Sequence, residues 1–95
     1  PASYFSRRIG ERFTQTRKIR RVKIVFDENY EKDVFDNLAL QAVTVKKTYL
    51  TNKYMKDNVH LKESIIYISL PKARSYEEVL NQVSMQDYVY EVEEA

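Results

Sequence analysis

Residues 20–26 read Arg20-Arg21-Val22-Lys23-Ile24-Val25-Phe26. Val22, Ile24 and Phe26 fall on one side of an extended chain and Arg21, Lys23 and Val25 on the other, so alternation and β-branching predict a strand, β1. Directly after it, Asp27-Glu28-Asn29 supplies capping side chains and negative charge where the dipole of a following helix is positive. Tyr30, Val34, Phe35, Leu38 and Ala42 then recur at helical offsets, which predicts an amphipathic helix, α1, through residues 30–42.

From Ala42 to Leu50 the pattern returns to alternation. Val43, Val45 and Tyr49 oppose Thr44, Lys46, Thr48 and Leu50, while Lys47 falls on the Val45 side. This predicts strand β2 at an exposed edge, where lysine discourages further pairing. Thr51 to His60 is polar, carries Asn52, Asp57 and Asn58, and reads as a hairpin loop. Glu63 to Leu70 sets Ile65, Tyr67 and Ser69 against Ile66, Ile68 and Leu70; with both faces largely apolar, it reads as a central strand, β3. Pro71 ends it. Ser75-Tyr76-Glu77-Glu78 matches the capping box, and Tyr76, Val79, Leu80 and Val83 follow at helical spacing, predicting α2. Asp87 to Glu93 alternates as a short β4 before an acidic tail.

The order β-α-β-β-α-β predicts an α+β, ferredoxin-like fold of the kind shared by ACT domains: a four-stranded antiparallel sheet with β1 and β3 in the middle and both helices on one face. At 95 residues there is room for one such unit. The domain is expected over residues 18–95, preceded by a basic leader at 1–17.

Counts of residue types narrow the chemistry. With no cysteine, disulfides, thiolate catalysis and iron–sulfur clusters are excluded, and a single histidine, His60, excludes multi-histidine metal sites. One glycine, Gly10, leaves no glycine-rich phosphate loop. The turn at Phe26-Asp27-Glu28-Asn29-Tyr30 likewise lacks the glycine with which amino-acid-sensing ACT domains approach a ligand, so free amino acids and nucleotides are not expected as tight ligands. An RRM-like mode of RNA binding is disfavoured because Lys62-Glu63-Ser64-Ile65-Ile66-Tyr67-Ile68-Ser69 has no glycine and Tyr67 as its lone aromatic. Tyr49, Tyr67 and Tyr90 read as core or rim residues. The carboxylates Asp27, Glu28, Glu31 and Asp33, and the tail Glu91, Glu93 and Glu94, lack the spacing of a metal cage and read as solvated faces. Ser64, Ser69, Ser75 and Ser84 have no nucleophile context, and His60 no partner for acid–base work. The expectation is a non-enzymatic domain with no cofactor and no metal.

The formal charge of +2 conceals a division. Residues 1–23 hold eight basic side chains against Glu11 alone, whereas residues 24–95 hold eight basic and thirteen acidic ones. The leader Ser3-Tyr4-Phe5-Ser6-Arg7-Arg8-Ile9-Gly10-Glu11-Arg12-Phe13 interleaves aromatics with arginine, as chains do on leaving a bilayer into a cytoplasm lined by anionic head groups. Arg7, Arg8, Arg12, Arg17 and Lys18 are the candidate membrane-proximal cations; a solvated basic arm is the bland alternative.

The run Tyr4-Phe5-Ser6-Arg7-Arg8-Ile9, a basic spacer, and Arg20-Arg21-Val22-Lys23-Ile24-Val25-Phe26 ahead of a helix and hairpin resembles the cytosolic C-terminal, ACT-like domain of the MgtC/SapB family of membrane proteins. The resemblance is one of pattern and order over nearly the whole chain. It implies a regulatory or interaction domain on the cytoplasmic side of a bacterial inner membrane, attached to an N-terminal membrane portion and associated with magnesium limitation and intracellular survival. The alternative is a free-standing ferredoxin-like module that binds nucleic acid through its leader. For self-association, Tyr88, Val89, Tyr90 and Val92 form a candidate weak dimer edge, because unpaired strand backbone invites a second copy.

Overall fold

The computed structural model describes residues 18–95. The described residues form strand β1 (Lys18–Asp27), a 3-10 turn (Glu28–Tyr30), helix α1 (Glu31–Leu40), strands β2 (Thr44–Lys56) and β3 (Val59–Leu70), helix α2 (Tyr76–Ser84) and strand β4 (Val89–Glu94). The sheet order is β2-β3-β1-β4 with every pairing antiparallel, the ferredoxin-like arrangement. β1 and β3 are the inner strands, as their β-branched runs require.

The helices cover one face. Val22, Ile24 and Phe26 of β1 and Ile66, Ile68 and Leu70 of β3 pack against Val34 and Leu38 of α1 and Tyr76, Val79 and Val83 of α2 in one buried cluster. Burying a side chain of this size is worth roughly 1.5–3 kcal/mol, so this cluster decides which face is closed. Tyr76 is admitted because its hydroxyl donates to the Arg21 carbonyl, and Arg20 lies 4.1 Å over its ring.

The caps work as the sequence suggests, with one refinement. Ser75 Oγ accepts from the Glu78 N–H at 3.1 Å, starting α2. Asp27 accepts from the Asn29 N–H at 2.9 Å, but what it starts is the 3-10 turn, which hands over to α1 at Glu31. Tyr30 therefore precedes α1, and Ala42, which the periodicity assigns to that helix, lies beyond its end at φ 63°.

The largest departure from the sequence reading is residues 51–60. They are not a loop: β2 continues through Lys56, β3 begins at Val59, and the turn between them is Asp57-Asn58 alone, at φ 51° and 64°. Left-handed φ at both central residues matches the right-handed twist of the flanking strands, and Asp and Asn tolerate it better than other non-glycine residues. Polar composition misled the reading because this part of the hairpin is solvated throughout, so alternation had no apolar face to mark. The β2 phase also needs correction. Register slips between Val45 and Lys47 and again between Leu50 and Asn52 leave Lys46 and Thr51 unopposed. The first bulge returns Lys47 and Tyr49 to the helix-free face, opposite Tyr67 and Ile65, and places Thr48 and Leu50 on the helix side. β4 begins at Val89, two residues later than alternation suggests, and carries its own irregularity opposite the Val25–Phe26 step.

Candidate interaction surfaces

Three surfaces of the described residues hold the side chains singled out by the sequence. The first is the helix-free face. Lys23 stands on inner strand β1 with its Nζ 3.1 Å from Glu93, 3.7 Å from Glu91 and 4.0 Å from Glu63. Cross-strand register puts them there: Lys23 opposes Ile65 and Glu93, while Val25 opposes Glu63 and Glu91. The hydrogen bond to Glu93 holds the Lys23 ammonium above its ordinary value. Glu91 and Glu93 share a hydrogen bond that raises the Glu91 carboxyl and lowers that of Glu93, with Lys23 lowering both. Thr51 Oγ1 donates to Glu63 at 2.7 Å, so this carboxylate is held from β2 as well. The cluster sets one cation among three carboxylates, so Lys23 offsets only part of their charge. Beside it Tyr49 and Tyr67 meet edge to face at 5.7 Å, with Tyr49 about half exposed, which makes both rim residues of this face.

The second surface is the end of the sheet where β1 passes into α1. A shallow hollow of about 360 Å³ is lined by Asp27, Tyr30, Gln86, Asp87, Tyr88 and Tyr90. The Tyr30 and Tyr88 rings stack at 5.2 Å, within 2° of parallel, on its wall; the Tyr88 hydroxyl donates to the Asp33 carbonyl, and burial raises its pKa. The carboxylates of this region are drawn into separate pairs: Asp27 caps the turn, Glu28 pairs with Lys53 at 3.0 Å and is lowered by it, and Glu31 pairs with Lys62 at 3.1 Å. His60 is exposed on β3 opposite Met55.

The third surface comprises the two sheet edges. Of the candidate dimer residues, Val89 and Val92 lie on β4 and pack with Tyr88 against the domain's own core, leaving Tyr90 exposed. Arg7, Arg8, Arg12 and Arg17 lie outside the described residues, and Lys18 is the first residue of β1. The pairs Tyr30–Tyr88, Lys53–Glu28 and Lys23–Glu93 escaped the sequence reading because their members stand on different elements. A lysine in the middle of an inner strand is the one local sign that acidic neighbours are near.

No family model matches the chain, and no curated protein matches it. Among solved structures, the fold is similar to the solution structure of the C-terminal domain of the MgtC protein from Mycobacterium tuberculosis, with a TM-score of 0.59. That similarity covers 82% of this chain and 85% of that one at 13% identity. The two share a fold.

Proposed function

We propose that this chain is a non-enzymatic regulatory or interaction domain on the cytoplasmic side of a bacterial inner membrane, following a membrane portion as in MgtC-type proteins. The observation that carries the reading is the fold likeness to a domain that is itself the C-terminal part of a longer protein, matched over most of both chains. The aromatic and arginine-rich run ahead of Lys18 supports it. No cofactor enters this reading, and no helix of the described residues is long and apolar enough to cross a membrane.

The reading is tested with vesicles. Arg7, Arg8, Arg12, Arg17 and Lys18 should each add up to about 1 kcal/mol of attraction to an anionic surface, weakened by salt. Co-sedimentation of the 95-residue chain should therefore require anionic lipid and fall when the four arginines become alanine. Equal binding to neutral vesicles, or none to either at low salt, overturns it. A weak homodimer through the β4 edge belongs to the same proposal, limited by repulsion between Glu93 and Glu94 of the two copies. Sedimentation at rising concentration should show it, and Val89→Pro, which deletes one strand N–H, should weaken it.

A further inference from the structure

The free edge of β2 differs from every other surface of the described residues. β2 spans Thr44–Lys56 with only Val45 partly buried, and it lies at the outside of the sheet. Its sequence, TVKKTYLTNKYMK, holds Lys46, Lys47, Lys53 and Lys56 and no acidic residue. Lys53 is engaged by Glu28, whereas Lys46, Lys47 and Lys56 have no ion pair among the described residues. The same strand carries Tyr49, Leu50, Tyr54 and Met55, all at least 38% exposed. Register assigns Tyr49 and Tyr54 to the helix-free face, opposite Ile65 and Leu61, and Leu50 and Met55 to the other, opposite Ser64 and His60.

We infer that the β2 edge is a docking strand for an acidic, extended polypeptide segment that adds to the sheet beside it. Edge lysines ordinarily block pairing, because directly opposed like charges destabilise a ladder. That block is selective. A second β2 would bring lysine against lysine, and a neutral strand would gain nothing from them. A strand bearing Asp or Glu on alternate residues would be drawn to Lys47 and Lys56, which share the helix-free face, and kept in contact by the exposed tyrosines. The unpaired backbone supplies hydrogen bonds, and side-chain sites on alternate faces supply register, as in other strand-addition complexes. The bulges at Lys46 and Thr51 limit continuous pairing to Lys47–Leu50 and Asn52–Lys56, and in the second stretch the Lys53 N–H already donates to Asn52 Oδ1 at 2.9 Å, so the occupant is a short segment of four or five paired residues that displaces this contact where it pairs there. A strand edge alternates N–H donors with C=O acceptors, which another extended chain matches in register and a phosphate backbone, offering acceptors, does not, so a polypeptide is the favoured polyanion. The inference rests on the reading of this chain as an interaction domain and is independent of membrane attachment.

The test uses the full chain of 95 residues and fluorescein-labelled octapeptides alternating Glu with Val, Lys with Val or Ser with Val, together with a short oligothymidylate. The Glu-Val peptide should bind with a dissociation constant of about 10–100 μM, shift backbone amides confined to residues 44–56, and weaken on the order of tenfold or more between about 50 and 500 mM salt. The double variant Lys47→Glu with Lys56→Glu should lose at least about tenfold in affinity while melting like the parent. Equal binding of the Lys-Val peptide, no binding of any peptide, or oligothymidylate shifting the same β2 amides at an affinity equal to that of the Glu-Val peptide overturns the inference. So do β2 amide shifts that follow protein concentration alone, which would assign the edge to a second copy. Vesicle binding depends on the leader, so either proposal can fail without the other.

Discussion

Ile65 and Ile66 are neighbours on β3 with opposite surroundings. Ile66 faces the helices and is fully buried in the core, whereas Ile65 faces away from them and is only half-buried, between Tyr49 and Lys23 in the register. The same split runs across the whole sheet. On the helix side, apolar residues from two inner strands meet two amphipathic helices, and the face is committed to holding the fold together. On the helix-free side, Tyr49, Tyr67 and the Lys23 cluster remain at the surface, each partly compensated by neighbours and each still open to a partner. A sheet with one closed face therefore divides its labour, and contact surfaces are to be sought on the open face and the edges.

The sharpest way to break this comparison is to truncate the two isoleucines. Ile66→Ala should cost about 2–5 kcal/mol, from lost transfer energy plus the cavity left beneath the helices. Ile65→Ala should cost no more than about half as much, since solvent already reaches the site. Equal losses in urea denaturation would mean that the open face is as much core as the helix face. A smaller effect comes from the tyrosine pair. Tyr49→Ala should cost about 1 kcal/mol by removing the edge-to-face contact with Tyr67, and a double-mutant cycle with Tyr67→Ala isolates that coupling.

The smallest effect is one of sign. Glu93 is lowered from its ordinary 4.5, so its contribution to stability is present above that pH and is lost as pH falls through the depressed folded value. Glu91 is raised, so its contribution is present below 4.5 and is lost as pH rises through the folded value. Lys23 is raised above 10.5 and contributes at every lower pH. In Lys23→Met the repulsion between the two carboxylates is no longer offset. That variant should gain stability as pH falls from about 7 toward 4, and its deficit against the parent should shrink over the same interval. Urea midpoints at the two pH values check this; a deficit that widens on acidification would remove Lys23 from the centre of the cluster.

Much of the fold was legible because its signals are local. The alternation of Val22, Ile24 and Phe26, the doubly apolar run from Ile65 to Leu70, and the capping box at Ser75 each depend on residues a few positions apart, and each element formed where those residues stand. Legibility failed where local signals are weak or interrupted. Residues 52–56 pair with β3 through Val59–Glu63 yet are all exposed, so their strand character lies in backbone hydrogen bonds that no side-chain pattern reports. Bulges at Lys46 and Thr51 shift the alternation without leaving a glycine or proline to mark them.

The amino-acid sequence by itself determined the order of elements, the choice of inner strands and the concentration of basic charge in the leader, since these follow from periodicity, propensity and counting. Only the tertiary structure decided which charges meet. It brought Lys23 among Glu63, Glu91 and Glu93, paired Glu28 with Lys53 and Glu31 with Lys62, and left Lys46, Lys47 and Lys56 of the β2 edge without an ion pair among the described residues. The reason is that packing of the sheet and its connections brings together residues 25 to 70 positions apart, and a shift of one residue, as at each bulge, sends a side chain to the opposite face.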